Sequence, residues 1–172
     1  HISDTATRNG GPIYVNNRNF TVNTSIFKNN KLTASNDAYN GSGGAIRVSS
    51  HGAITATINT TDFIGNYAIN QGGALSFSNL AAANTLNATI TNSTFTNNSS
   101  GGKGGAIQVG DNNPIVTING SDFVGNTAQF GGAIYINTGT VTVNGSIFKG
   151  NSATNNGGGG AIYNKAGTLI VD

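Results

Sequence analysis

The chain has 172 residues, enough for one domain, and 26 Gly, 28 Asn, 21 Thr and 14 Ser make up 89 of them. Charged residues are only 8%, the net charge is +2, and Glu, Cys, Met and Trp are absent. These counts exclude disulfides, thiolate metal sites and a thiol nucleophile; the scattered Lys and Arg exclude a nucleic-acid footprint; and no apolar run approaches the roughly 18 residues of a membrane span.

A hydrophobic content of 36% is low for a packed globule. The polar residues nevertheless recur in a fixed order, which argues against disorder. Taken along the chain, a Gly-Gly-Ala-Ile tetrapeptide or close variant appears at 10–13, 43–46, 72–75, 104–107, 131–134 and 159–162. A Phe followed three residues later by Asn lies between successive copies. The pairs are Phe27/Asn30, Phe63/Asn66, Phe95/Asn98, Phe123/Asn126 and Phe148/Asn151.

After each Gly pair the sequence alternates. Ile13, Ile46, Leu75, Ile107, Ile134 and Ile162 point one way, with Tyr14, Arg47, Ser76, Gln108, Tyr135 and Tyr163 next to them and expected to point out. A second alternating segment precedes each Phe. Thr21, Thr57, Thr89, Thr117 and Thr142 stand between two apolar columns and are expected to face outward. A short third strand is expected around each Phe. The intervals 31–42 and 78–86 read as surface loops inserted between coils.

Repeats of about 25–36 residues with three short strands predict an all-β, right-handed parallel β-helix of about five to six coils, as a single domain over 1–172. Coils would stack about 4.8 Å apart. The Ile and Phe columns would become internal apolar stacks. Asn30, Asn66, Asn98, Asn126 and Asn151 would become an amide ladder. Gly11, Gly44, Gly73, Gly105, Gly132 and Gly160 would serve turns where a Cβ would clash.

The paired GGA[I/L] and FxxN motifs resemble the repeats of the chlamydial polymorphic outer-membrane proteins and the large adhesin-like surface proteins of methanogens. The resemblance implies a right-handed parallel β-helix displayed outside the cell, serving adhesion or self-association, and not an enzyme. As an adhesin module, the chain would have surface glycans or a host receptor as partners.

Both ends of the chain read as half-coils. His1 aligns with the Phe position and Asp172 falls four residues before the next Phe position. An uncapped coil offers edge strands to another chain. End-to-end contact through His1, Ile2, Leu169, Ile170 and Val171 is therefore expected, in a head-to-tail filament or against flanking coils of a larger protein.

Other chemistry is sparse. Asp62 and Asp122 share the column one before Phe, but Thr94 separates them and no third acid joins them. No catalytic residue, cofactor or metal site is expected, beyond a weak Ca²⁺ site from loop Asp and Asn oxygens. The alternatives are a polysaccharide-binding or polysaccharide-degrading β-helix and an ice-binding solenoid. The outward Thr column carries the ice-binding reading, which Asn23, Asn59, Asn119 and Asn144 interrupt. Outward Tyr14, Tyr135 and Tyr163 could stack on sugars, although Tyr is also common on plain exposed strands.

Overall fold

A computed structural model describes residues 2–6, 10–33, 41–82, 85–156 and 158–172. All strands pair in parallel, coil upon coil, in four sheets. The first sheet follows the Gly pairs: Ile13–Asn16, Ile46–Ser50, Leu75–Asn79, Ile107–Gly110, Ile134–Ile136 and Ile162–Asn164. The second holds the Thr column: Phe20–Asn23, Ile54–Asn59, Leu86–Thr91, Ile115–Asn119, Thr140–Asn144 and Thr168–Val171. The third holds the Phe column: Ile26–Lys28, Asp62–Ile64, Thr94–Thr96, Asp122–Val124 and Ile147–Lys149.

A fourth sheet joins the three expected. It is built from Thr5–Ala6, Lys31–Leu32, Tyr67–Ala68, Ser99–Ser100, Thr127–Ala128 and Ser152–Ala153. Two residues are too short to display an alternating pattern, so this strand has no periodic signature of its own. Its register is inherited from the Asn that precedes it.

The registers place like on like. Ile46 pairs with Leu75, Leu75 with Ile107, and Ile107 with Ile134. Thr57 pairs with Thr89, and Thr89 with Thr117. The corners between strands turn through left-handed backbone. Thr24, Thr60, Asn92, Gly120 and Gly145 form one positive-φ column, and Asn29, Gly65, Asn97, Gly125 and Gly150 form another. Asn and Gly tolerate this conformation best, which explains the turn composition. Thr24 and Thr60 hold it against their β-branch, at φ of 48° and 47°.

Several expectations are corrected here. Lys31–Leu32 and Leu75–Asn79 are strands, and Leu32 is fully buried, so the loop of the first insertion starts after Leu32 and that of the second after Asn79. Residues 34–40 and 83–84 of these insertions lie outside the described residues. At the start of the chain, Ile2 bridges Phe27 and thus takes the place expected for His1. His1 itself lies outside the described residues. Asp4 still heads the Asn column, because its N–H donates to Asn30 Oδ1 at 2.7 Å. The first turn is therefore one residue shorter than its successors.

The largest correction concerns the first sheet. Arg47, Ser76, Gln108 and Tyr135 were expected in solvent, yet their exposures are 6%, 0%, 2% and 2%. The chain just before the Gly pairs at 43, 72, 104 and 131 runs beside this face, where Lys103 reaches the Tyr135 ring and Phe130 the Tyr163 ring. Ser42, Gln71, Lys103 and Phe130 bridge one another in register there. Only Tyr14, in the first coil, is exposed among the large outward side chains of this column.

Candidate functional site

The interior is a set of stacked columns. Phe27, Phe63, Phe95, Phe123 and Phe148 lie ring on ring, with centroid separations of 5.1, 4.9, 4.7 and 4.7 Å and near-parallel planes. Phe27 to Phe123 are buried, while Phe148 is partly covered. Ile46, Leu75, Ile107 and Ile134 are buried in the facing column, and Ile13 and Ile162 are partly buried at its ends. Burying a large apolar side chain contributes about 1.5–3 kcal/mol, so these columns are the main source of stability.

The Asn column is a closed hydrogen-bond ladder. Asn98 donates from Nδ2 to Asn126 Oδ1 at 3.0 Å and to the Phe63 carbonyl at 2.9 Å. Its backbone N–H donates to the same Asn126 Oδ1 at 2.9 Å. Its own Oδ1 accepts from the Asn66 N–H at 3.0 Å and Asn66 Nδ2 at 2.8 Å. Asn66 and Asn126 repeat the pattern, as does Asn30 with the Ile2 carbonyl. Asn151 donates to the Phe123 carbonyl at 2.9 Å. A side chain with two donors and one carbonyl acceptor fits this geometry, and Asp would lack the donors. The first-coil Asp4 contributes a backbone N–H to the ladder instead.

A second buried ladder escaped the sequence reading. Thr61, Ser93 and Ser121 stand two residues before Phe and are buried. The Thr61 N–H donates to Ser93 Oγ at 3.2 Å, the Ser93 N–H to Ser121 Oγ, and the Ser121 N–H to Ser146 Oγ, both at 3.1 Å. Each hydroxyl in turn donates to the carbonyl two residues back, as Ser93 does to Thr91 at 2.9 Å. The signal was present: Ser or Thr occupies this position in all five copies. It was hidden among the many other hydroxyl residues.

The two glycines of a pair serve different purposes. Gly104 holds φ at 66°, and a Cβ there would strike the carbonyl of Ile107, three residues on in the same coil. At Gly105 a Cβ would strike Gly132 and Thr127 backbone in the next coil. The left-handed turn thus belongs to the first glycine. Gly44, Gly73, Gly105 and Gly132 are required for close approach between coils, as their Cβ positions would meet the next glycine carbonyl. Gly11 meets Gly44 in the same way, and Gly160 is less crowded.

Among the residues named for end-to-end contact, Ile2 and Leu169 pack partly against the core, while Ile170 and Val171 are 43% and 64% exposed. Asp62 and Asp122 are paired in register with Thr94 between them, and Thr94 Oγ1 donates to Asp62 Oδ1 at 2.6 Å. The described residues hold no group of three or more His, Cys, Asp or Glu that could bind a metal ion. They also hold no helix long and apolar enough to cross a membrane.

The covered face of the first sheet carries the richest side-chain chemistry. Tyr135 stacks on Tyr163 at 5.6 Å, Phe130 tilts against Tyr163 at 5.5 Å, and the Lys103 ammonium stands 5.2 Å from the Tyr135 ring centroid. Burial pushes the Tyr135 phenol above its ordinary range, and the neighbouring Tyr163 adds to the shift.

Against this geometry, the Chlamydia polymorphic membrane protein repeat matches residues 92–110 and 145–165. These two segments are similar to that repeat, and the parallel β-helix fits it. The two matched stretches span an FxxN-to-GGAI segment in each of two coils, and the other coils carry the same motifs in the same register. No curated protein and no solved structure matches the chain.

Proposed function

We propose that the chain is an extracellular structural β-helix that mediates adhesion or self-association at a cell surface. In this reading it is either the subunit of a head-to-tail filament or a segment of a larger adhesin-like protein. The observation that carries it is the continuity of the Phe and Asn columns. Each coil offers the next an identical set of strand edges, amide groups and ring faces. Such an interior is made for coil-on-coil addition, whether the next coil belongs to the same chain or another. A heterologous contact of that type does not close and so grows a rod. The repeat family is one of membrane proteins, which supports a surface setting.

A structural rather than catalytic role fits the side chains. Asp62 is engaged by Thr94, which also separates it from Asp122. The reading includes no resident cofactor. Its partners are copies of the chain or flanking coils, together with a surface glycan or receptor.

Electron microscopy and intact mass on the same native material test this reading. Filaments built from a 17.3 kDa subunit support it. So does a heavier chain removed from intact cells by mild surface proteolysis. A free intracellular monomer that degrades a polysaccharide, with activity lost in Asp62→Asn, overturns it.

A further inference from the structure

We infer that the covered face of the first sheet carries a binding site for an acidic sugar unit, formed by Lys103, Phe130, Tyr135, Tyr163 and Lys165. These five residues line a cavity of about 230 Å³. That is below the roughly 300–1,000 Å³ of drug-sized sites, and it suits a single sugar ring with its substituent.

The chemistry of the lining selects the ligand. Tyr135 and Tyr163 stack with planes 10° apart, and Phe130 meets Tyr163 at 56°. Two aromatic planes set at an angle make a corner that receives the flat C–H face of a pyranose. Tyr135 is 2% exposed and forms the back wall, while Phe130 and Tyr163 are half-buried and accessible. Space for the ligand arises from the sequence. Gly131 N–H bonds to the Gly158 carbonyl as Gly104 N–H bonds to that of Phe130, so Gly158 holds the position of Phe130 one coil later and adds no side chain.

Two cations contribute to the lining. Lys103 stands over the Tyr135 ring, and Lys165 reaches Asn137 Oδ1 at 3.5 Å, a weak contact that leaves its ammonium available for a stronger acceptor. Among the described residues no carboxylate lines the cavity. Aromatic walls with two ammonium groups and no acid favour a sugar that bears a carboxylate or sulfate over a neutral one. The coils elsewhere do not repeat this arrangement, because the same column reads Ser76 and Gln108, hydrogen-bonded to each other at 2.8 Å. The site therefore arises from local substitutions on a constant frame.

This inference rests on the adhesive reading for its biological setting, and it gives that reading a ligand class. The test is saturation-transfer NMR and calorimetry on the full chain with three probes. They are a trigalacturonate, a sulfated neutral trisaccharide and an uncharged trisaccharide of the same length. The expected result is saturation transfer from aromatic protons to one or both acidic probes, with binding about tenfold weaker for the uncharged one. Preference between the two acidic probes assigns the substituent. Binding should weaken as salt rises, and Lys103→Gln with Lys165→Gln should reduce it about tenfold while leaving the melting temperature unchanged. Tyr163→Ala, checked by circular dichroism, should abolish the aromatic transfer. Equal binding of charged and uncharged probes, no binding at millimolar sugar, or a double Lys variant that binds normally overturns the site. Any of these failures leaves the surface-rod reading standing, because that is decided by microscopy and mass.

Discussion

The first and second sheets are both parallel stacks with the same alternating sequence pattern, yet their outer faces have opposite fates. In the second sheet burial alternates as the residues do: Ala88 and Ile90 are buried, while Thr89 and Thr91 are half-exposed. In the first sheet every residue of Leu75–Asn79 is buried, Ser76 and Ser78 included. The difference lies in the neighbouring chain. The Ser42–Gln71–Lys103–Phe130 column runs beside the first sheet, and among the described residues no comparable bridged column stands against the Thr face. Alternation therefore reports which side chains share a face, and it does not report whether that face meets water.

The core common to both sheets sets the upper limit for any substitution. Phe95→Ala should cost about 3–5 kcal/mol, read from urea unfolding, because a fully buried ring leaves a cavity between two others. The same change at Phe148 should cost less, since that ring is only partly covered.

The comparison itself is tested by one pair of variants. Ser76→Lys places an unpaired ammonium in a fully buried position and should destabilise by about 3 kcal/mol. Thr89→Lys on the half-exposed face should change stability by no more than about 0.5 kcal/mol. Equal melting temperatures for the two would show that the first sheet is open to water after all.

A smaller effect sharpens the role of the corner between the second and third sheets. Ser93→Ala removes the acceptor of the buried Thr61 N–H and should cost about 1–3 kcal/mol. Ser93→Thr keeps the hydroxyl and should retain most of the lost stability. If the Ala variant is neutral, the hydroxyl ladder is ornamental.

The smallest effect is confined to alkaline pH. Burial, then Tyr163, raises the Tyr135 phenol above its unfolded value near 10, so the fold favours the neutral ring. This contribution is complete below pH 10 and is lost as pH rises through the folded value. Denaturant midpoints measured at pH 8 and pH 11 should differ less in Tyr135→Phe than in the parent chain.

Much of the fold was legible because a β-helix writes its architecture as a repeat. The offsets between Gly pair, Phe and Asn determine which residues stack, so Phe63 on Phe95 and Asn66 on Asn98 follow from alignment alone. Period-2 alternation identified the strands on either side of the Thr and Ile columns. The Ser and Thr ladder was legible in principle, since position and chemistry recur, but Ser and Thr are so frequent that a functional column looked like background. The two-residue fourth strand had no pattern to find. Ile2 at the Phe position was missed because a turn one residue shorter leaves no mark in an ungapped alignment.

The sequence by itself determined the stacking partners, the inward columns and the parallel class, because these depend on period and side-chain volume alone. Tertiary structure decided which outer face is covered and which glycine turns the chain. It also decided that Lys103, Phe130, Tyr135, Tyr163 and Lys165 converge from three coils onto one cavity. Those outcomes depend on how each coil lies against its neighbour about 4.8 Å away, and no local pattern encodes that contact.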